Sequence, residues 1–381
     1  MSWEYRKTDK RNRIMDLKKI FIKDACPTKM GGQAVMEGIM MKGDRKTALA
    51  VRVPGGNIEI ETKKTKTYGK WMKIPLLRGV IAFADSLVYG CKTLMDSANV
   101  LEEYDDEEYE ASRFEQWIEK KFGSQALWHF LVYSSVAIAL AFSIGVFILL
   151  PTWVASLAKL VTESVIWINL VEGILRIALF ILYVWGISHM PDIKRVFMYH
   201  GAEHKTIHTF ENLPRKGNGS DGDGGSEPDL SRLTVEACRE YPTLHPRCGT
   251  SFLMFVFIIA FACHVLLGWP VLWLRIVTRL LLLPVIAGLS YELLKWAGRS
   301  DNWLVKILSM PGLWLQKITT SEPDDDMLEV AIEAVKAVCD STPPRKYTVR
   351  KTEGWPEDRF EYPHVWDLPG SRQERKSSNE D

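Results

Sequence analysis

Three histidines and two glutamates are grouped in the segment YHGAEHKTIHTFE, residues 199–211. In a helix of 3.6 residues per turn, His200 and His204 fall at about 0° and 40° around the axis, and Glu211 falls at about 20°. With Glu203, the two histidines spell His-x-x-Glu-His, an order in which both histidines hold a metal and the glutamate acts as a base. The pattern therefore predicts a metal site on one face of this helix.

A second group of candidate ligands, HPRCG at residues 245–249, directly precedes a long apolar run. Zinc and iron accept imidazole, carboxylate and thiolate ligands, and the two groups together supply all three kinds. We therefore predict a divalent-metal site, with zinc as the first expectation and iron as the second. The predicted ligands are His200, His204, Glu211, His245 and Cys248. The spacing leaves open which of the last three completes the site.

The same residues include two candidates for catalysis. Metal-assisted hydrolysis needs three protein ligands, an open coordination position and a base. Glu203 is the predicted general base, and Arg247 is predicted to hold an anionic substrate group or to stabilise developing negative charge. A structural metal site uses the same ligands, so a non-enzymatic role stays open.

The distribution of apolar residues indicates a membrane protein. Hydrophobic residues make up 47% of the 381 residues and are concentrated in the middle of the chain, while both ends are charged. A helix needs about 20 apolar residues to cross a bilayer. The candidate spans are residues 126–150, 165–188, 250–267 and 271–294. We predict an α-helical multi-pass membrane protein with about four transmembrane helices and a small N-terminal cytoplasmic β-containing unit.

Loop charges predict the orientation. Residues 189–249, between the second and third candidate spans, contain many lysines and arginines, whereas the loop between the first two spans contains only Lys159. Because basic loops stay on the cytoplasmic side, both termini and the histidine segment are predicted to be cytoplasmic. The net charge of +1 gives no indication of nucleic-acid binding. The six cysteines form no CxxC pair, which favours reduced thiols over a disulfide framework.

Five regions are predicted along the chain. Within the second, glycines that bound the segment indicate a strand at 31–41, and alternation of apolar and polar residues indicates a hairpin of 48–53 with 58–62. Residues 76–99 are predicted to form a helix, and whether this helix enters the membrane is left open. The regions are a basic arm (1–29), a β-hairpin unit with an amphipathic helix and acidic linker (30–125), a membrane domain with the metal-site loop 189–249 (126–318), a C-terminal helix (319–342) and a disordered tail (343–381).

Four blocks of the sequence resemble a known family. They are GGQAVMEGIMMKG (31–43), YHGAEHKTI (199–207), LHPRCGTSF (244–252) and ITTSEPDDDMLEVAI (318–332). They are similar to the YqhQ-like membrane proteins, the domain of unknown function 1385, which is commonly described as a predicted metal-dependent enzyme. The resemblance implies a multi-pass membrane protein and supplies no substrate. It carries over Gln33, Glu37, Gly38, His200, Glu203, His204, Lys205, His245, Arg247 and Cys248.

Two main hypotheses follow for the function, and transport is a third possibility, which four spans without a visible internal repeat disfavour. The first is a metal-dependent enzyme of a bacterial cytoplasmic membrane, most plausibly a hydrolase, acting at the cytoplasmic face on an unidentified substrate. The second is a non-enzymatic assembly or scaffold factor with a structural metal, in which the N-terminal unit recruits a protein partner. Membrane lipid is an expected partner in both cases. Cys238 departs from the family pattern, which argues against it as a ligand.

Overall fold

The computed structural model describes residues 20–21, 28, 30–66, 68–104, 120–121, 124–216, 227–267, 271–297 and 302–349. The strands are β1 (Gly31–Val35), β2 (Gly38–Lys42), β3 (Lys46–Arg52), β4 (Ile58–Lys64), β5 (Arg215–Lys216), β6 (Glu227–Pro228) and β7 (Lys346–Val349). The helices are α1 (Leu77–Glu102), α2 (Ser124–Ile144), α3 (Leu150–Leu157), α4 (Val165–Ile187), α5 (Pro191–Glu211), α6 (Val235–Arg239), α7 (Gly249–Leu267), α8 (Leu272–Ala297), α9 (Trp303–Thr319) and α10 (Asp325–Cys339). Most of the predicted basic arm, most of the acidic linker and the tail beyond residue 349 lie outside the described residues.

An antiparallel sheet in the order β1-β2-β3-β4-β7 organises the part of the chain outside the apolar helices. Successive side chains of a strand point to opposite faces, and the apolar residues follow that rule. Ile39 and Ala50 are buried on one face, whereas Met40 and Leu49 are buried on the other. The predicted hairpin is therefore confirmed, and both faces of the sheet are covered.

The predicted strand at 31–41 is two strands joined by a tight turn at Met36 and Glu37. Glu37 adopts φ 49°, a left-handed conformation that a glutamate rarely takes. Its carboxylate accepts two hydrogen bonds of 2.5 Å from Arg195 and one of 3.2 Å from the hydroxyl of Tyr199. These contacts from α5 hold the turn in place.

Helices lie on both faces of the sheet. On one face, Tyr89, Val100 and Leu101 of α1 pack against β1, β2 and β3. On the other face, α5 and α10 share a larger core with the sheet, to which Tyr199 and Met327 contribute fully buried side chains. Burying one such apolar side chain contributes about 1.5–3 kcal/mol, so this three-layer core is the main source of stability for the sheet.

Three helical stretches are long and apolar enough to cross a membrane, namely Tyr133–Leu157, Val165–Ile187 and Trp273–Ala297. The apolar part of α7, Phe252–Leu267, is shorter. Three of the four predicted spans thus meet the length criterion, and the third in chain order does not. Helix α1 is not among the candidate spans of the described residues, because charged residues are spread along its whole length.

Pro151 interrupts the backbone hydrogen bonding of the first apolar stretch, and an arginine side chain supplies the missing donor. Proline has no N–H to donate to the carbonyl four residues earlier, which is that of Phe147. A single turn of π-helix covers Gly145–Leu149, and Nε of Arg176 donates to the Phe147 carbonyl at 2.9 Å. Arg176 also donates to Glu172 at 2.9 Å. The first two apolar stretches are therefore joined by polar contacts as well as by packing.

The C-terminal part of the chain returns to the sheet. Asp324 precedes α10 and Asp325 and Asp326 lie in its first turn, where acidic residues stabilise a helix. Beyond it, Lys346–Val349 pairs with β4, with Ile58 opposite Val349. This part of the predicted disordered tail is therefore a strand. The edge of β4 offers unpaired backbone groups, which the segment satisfies.

Candidate metal centre

Helix α5 carries the histidine segment, and its last three turns are enclosed by protein. Pro191 is in its first turn, where a missing N–H costs nothing. From Tyr199 to Glu211 the side chains are buried, except that of His200, which is half-buried. A methyl group on Gly201 would collide with the carbonyl oxygen of Ser321. The backbone after α9 therefore lies directly against the helix.

His200, His204 and Cys248 form one cluster, in which a ligand atom of each lies within 4.8 Å of the other two. Nε2 of His200 is 3.2 Å from Sγ of Cys248, and the centroids of the two imidazole rings are 4.4 Å apart. The histidines share a face of α5 because they are four residues apart. Cys248 immediately precedes α7, so the cluster joins the helix that follows α4 to the start of α7.

Backbone carbonyls hold both imidazoles on the side away from Cys248. Nδ1 of His200 lies 2.9 Å from the carbonyl oxygen of Thr319, and Nδ1 of His204 lies 2.5 Å from that of Thr243. Because a carbonyl only accepts, each Nδ1 is the donor, and in a neutral ring each Nε2 presents a lone pair. Metal-binding histidines are oriented by such contacts.

The lone pair of His204 lies close to the Cys248 sulfur. Nε2 of His204 is buried and has no hydrogen-bond partner of ordinary geometry among the described residues. Buried polar atoms are nearly always satisfied, so an orphaned nitrogen aimed into a cluster of ligands is a specific signal. The donor set of two imidazoles and one sulfur suits zinc or iron. The cluster thus passes a chemical test for a metal site.

The electrostatics favour the ligating form of the cysteine. Burial would raise the pKa of Cys248, but the adjacent His200 and His204 outweigh it and hold that pKa well below its ordinary value. For His200, burial would lower the pKa, but the Cys248 sulfur raises it to about 9. Both shifts favour the thiolate form of Cys248 and the protonated form of His200. A thiolate is the form that binds zinc or iron, and a metal ion would replace the shared proton.

Glu203 lies beside the cluster against β1 and is only 5% exposed. Its carboxylate accepts the N–H of Gly32, and a Cβ at Gly32 would lie 2.8 Å from Cδ of Glu203. Only glycine leaves room at this point. Burial raises the pKa of Glu203, against the effect of His200 and His204. A carboxyl group with a raised pKa is suited to take up and release a proton near neutral pH.

The structure does not place Glu211 in the cluster. It lies 11 residues after His200, which is about 16 Å along a helix axis. Its carboxylate contacts Arg247 at 2.5 Å and accepts from the N–H and hydroxyl of Thr28 at 3.0 and 3.1 Å. Arg247 is therefore engaged by Glu211, in contrast to its predicted role of binding a substrate anion.

His245 also lies outside the three-residue cluster, between His204 and Glu211. Its Nε2 is 3.8 Å from Glu211, and its ring centroid is 5.6 Å from that of His204. Burial and the neighbouring His204 and Arg247 hold the pKa of His245 well below its ordinary value. Nε2 of His208, one turn after His204, donates to the carbonyl oxygen of Leu244 at 3.0 Å, and its ring packs on His245.

The contact with Leu244 has a definite direction. A carbonyl oxygen accepts, so Nε2 of His208 is its donor. Burial, together with the adjacent His245, lowers the pKa of His208 to about 3. This imidazole is neutral, and its hydrogen bond ties α5 to the segment before Cys248. His208 is therefore a packing residue and a suitable comparison for the cluster histidines.

Sequence reasoning did not find the carbonyls of Thr243 and Thr319 or the role of Gly32. Every residue has a carbonyl, so no residue type marks the ones that orient a histidine. The block containing Thr319 was assigned only to the predicted C-terminal helix (319–342). Its resemblance to a family block was the one signal of a further role.

Other residues singled out by the resemblance hold the structure together. Nζ of Lys205 contacts Glu322 at 2.6 Å and the carbonyl of Arg239 at 3.2 Å. The amide of Gln33 donates to the carbonyl of Gly90 in α1 at 3.3 Å. Cys238 is buried in the core of the sheet and α5, outside the cluster.

Together these features define a mostly helical protein with apolar helices of membrane-spanning length, an antiparallel sheet layered between helices, and a His/Cys cluster. The chain belongs to the DUF1385 family, described as "Protein of unknown function", whose model matches residues 74–216 and 226–341. A relative is "Uncharacterized protein YqhQ" of Bacillus subtilis (strain 168), 35% identical over 317 residues, which cover 82% of this chain and 92% of the relative. No solved structure matches the chain. The resemblance to the YqhQ-like family is confirmed, and neither description mentions a metal or a reaction.

Proposed function

We propose that the chain is an integral membrane protein with four spans. Strands β4 and β7 pair in one sheet, although all the apolar helices lie between them in sequence. Two strands of one sheet are on the same side of a membrane, so the number of crossings between them is even. Helix α5 packs on this sheet too, so α7 and α8 cross together or not at all.

The length of α8 favours the first of these alternatives. Trp273–Ala297 is long enough to cross, and α7 crosses with it, although its apolar part is shorter. The 19 residues of α7 extend about 28 Å as a helix, close to the thickness of a hydrocarbon core. The basic charges of residues 189–249 support a cytoplasmic position of the sheet and the cluster in a bacterial membrane.

The cluster of His200, His204 and Cys248 is proposed to bind one divalent metal, zinc before iron. The orphaned Nε2 of His204 is the observation that carries this proposal. Carbonyl contacts at both Nδ1 atoms and the thiolate form of Cys248 support it. Three protein ligands leave a coordination position open, which is the pattern of catalytic rather than structural zinc sites.

The function proposed for this site is metal-dependent hydrolysis at the cytoplasmic membrane face. A bound zinc ion supplies Lewis acidity toward a carbonyl or phosphoryl oxygen. The chain itself supplies Glu203 as the base, whose carboxyl oxygen takes up a proton next to the cluster, and Gly32 fixes that carboxyl by its N–H. Burial of the site by α5 and the strand β1 limits the access of water.

A non-enzymatic scaffold is the alternative, in which the same residues hold a structural metal. The buried contacts of the cluster with Thr319 and Thr243 join three separate segments of the chain. A structural metal has this effect, so the contacts favour the alternative. Glu203 distinguishes the enzyme from the scaffold. An enzyme needs its carboxylate as a base, whereas a scaffold needs it for packing only.

Metal content tests the site. Purified full-length protein should contain about one equivalent of zinc or iron, and His204→Ala and Cys248→Ala should each lose it. The matched control is His208→Ala, which removes a buried histidine one turn along the same helix and should keep the metal. Equal metal in the wild type, His204→Ala and Cys248→Ala would refute the site.

Glu203→Gln tests the reaction. The substitution keeps size and hydrogen bonding to Gly32 but removes the base, so the variant should retain metal and fail to complement a deletion strain. If Glu203→Gln complements fully while His204→Ala does not, the scaffold function is supported and the hydrolase is rejected.

A further inference from the structure

Helix α9 presents a row of apolar side chains to the outside of the protein. Trp303, Ile307 and Trp314 fall at about 0°, 40° and 20° around its axis, and we call these three residues the apolar stripe. They are 68%, 55% and 58% exposed. Val305 and Gln316, about half a turn away around the axis, are buried against the rest of the protein. A contiguous apolar surface of this kind indicates an interaction site.

Both ends of α9 lie on the side of the sheet. Near its end, the amide of Gln316 donates to the carbonyl of His245 and accepts from its N–H, each at 2.8 Å. The chain then continues through α10 into β7 of the sheet. At its start, only residues 298–302 separate α9 from α8. The sheet requires an even number of crossings, and the four proposed spans already satisfy this requirement, so α9 does not cross.

The surroundings of the apolar stripe are those of a membrane surface. Helix α9 packs against α7 and α4, two of the proposed spans. Leu182 and Trp185, near the cytoplasmic end of α4, are also exposed. The apolar stripe is therefore close to side chains that a bilayer would cover. Tryptophan is enriched at the boundary between acyl chains and headgroups, and a helix with one apolar face can lie in that boundary.

Two lysines flank the apolar stripe on one side. Lys306 and Lys317 fall at about 300° and 320° around the axis, next to Trp303 and Trp314. Both are half-buried, and neither forms an ion pair within the described part of the chain. Nζ of Lys306 lies 5.6 Å from the ring centroid of Phe21. A lysine stem can lie along apolar surface while its ammonium group reaches the phosphates of anionic lipids.

We propose that α9 lies in the cytoplasmic leaflet, with the apolar stripe among the acyl chains and with Lys306 and Lys317 at the headgroups of anionic lipids. This inference rests on the four-span topology of the proposed function and is independent of the metal and the reaction. The same helix ends at Thr319, whose carbonyl contacts His200. The His/Cys cluster is then held at the level of the headgroups.

Photocrosslinking identifies what covers the apolar stripe. Full-length protein with p-benzoylphenylalanine at position 307 is reconstituted into vesicles of phosphatidylcholine with a minor fraction of phosphatidylglycerol, irradiated, and analysed by intact-protein mass spectrometry. The protein should gain the mass of one lipid. Ile138 is 69% exposed on the first proposed span and is the positive control, and the exposed Thr348 of β7 is the negative control. Ile307 is exposed, so the probe there spares the core.

The composition of the lipid adducts tests the role of the lysines. The ratio of phosphatidylglycerol to phosphatidylcholine adducts should be about fivefold higher at position 307 than at position 138, as expected for one lysine near an anionic surface. In the double variant Lys306→Gln/Lys317→Gln, the two ratios should become equal. The matched control is Lys336→Gln, which removes a lysine of α10 on the sheet side and should leave the ratio unchanged.

Three outcomes would overturn the proposal. They are a crosslink at position 307 to a second copy or within the chain in place of lipid, an adduct ratio equal to that at position 138, and a ratio that the double lysine variant leaves unchanged. Failure of the proposed topology is distinguishable, because position 138 would then also give no lipid adduct. Metal content should equal that of the wild type in every variant, so the metal site is tested separately.

Discussion

The carboxylate of Glu211 is almost fully enclosed, and Arg247 supplies the positive charge next to it at 2.5 Å. Breaking a buried ion pair leaves the remaining charge without compensation. We expect Arg247→Ala to lower the free energy of unfolding by about 2–3 kcal/mol, because the exposed part of Arg247 moderates the loss. Chemical or thermal unfolding in detergent measures this change.

The Glu211→Gln substitution provides the control for that prediction. In the double variant the carboxylate charge is gone, so Arg247→Ala should cost less than in the wild-type background. Metal content should stay at the wild-type level in both single variants, since neither residue belongs to the cluster. Loss of metal in Glu211→Gln would show that Glu211 is a ligand after all.

At the residue scale, helical periodicity was sufficient to predict that His200 and His204 lie close together. It was not sufficient to predict that Glu211 lies apart from them. A projection around the axis gives angle only, and it ignores the rise of about 1.5 Å per residue that separates residues of one stripe. Cys248 was predicted because chain connectivity puts the start of α7 near the end of α4. The choice among His245, Glu211 and Cys248 needed three-dimensional positions, since all three lie within reach of the helix by sequence.

At the scale of elements, the contact of α5 with the backbone after α9 holds His200 in position. A methyl group on Gly201 would overlap the carbonyl oxygen of Ser321, two residues from the Thr319 carbonyl that orients His200. We expect Gly201→Ala to destabilise the protein by about 1–3 kcal/mol through overpacking and to weaken metal retention. Unfolding curves and metal analysis of the same preparation measure both effects.

Gly186→Ala is the matched control, because Gly186 is also helical and a Cβ there meets nothing within 4 Å. Alanine has the higher helix propensity, so this variant should be neutral or slightly more stable. If both glycine variants behave alike, the close approach at Gly201 is not what positions the site.

The sequence predicted the elements that are stabilised by residues near them in the chain. The hairpin of β3 and β4 follows from alternation around a Pro-Gly-Gly-Asn turn, and α10 follows from acids in its first turn. The turn at Glu37 was missed because its stabilising partner, Arg195, is 158 residues away. Strand β7 was missed for a similar reason, since only pairing with β4 makes the short segment KYTV a strand.

At the scale of the whole molecule, the proposed four-span topology can be tested by reporter fusion. A reporter enzyme that is active only outside the cytoplasm should be active when fused after Leu160 or Leu267 and inactive when fused after Glu211 or Asn302. These positions follow α3, α7, α5 and α8 respectively. Reporter activity in cells measures the outcome.

The fusion after Leu267 is decisive, because the apolar part of α7 is too short to identify this helix as a span by length alone. Inactivity there, together with inactivity after Asn302, would mean that neither α7 nor α8 crosses the bilayer. The fusion after Leu160 serves as the positive control for export of the reporter. The even number of crossings would hold in either case, since the sheet requires it.

The pairing of β4 with β7 also determines when folding of the sheet can be completed. The ribosome makes β4 early and β7 only after the last apolar helix has been translated. Until then β4 has an open edge, which invites association with other chains. If the apolar helices cross a membrane as proposed, β7 reaches that edge only when an even number of crossings separates it from β4. Closure of the sheet therefore marks successful biogenesis, and the exposed edge of an incomplete molecule is a feature that cellular proteases and chaperones can recognise.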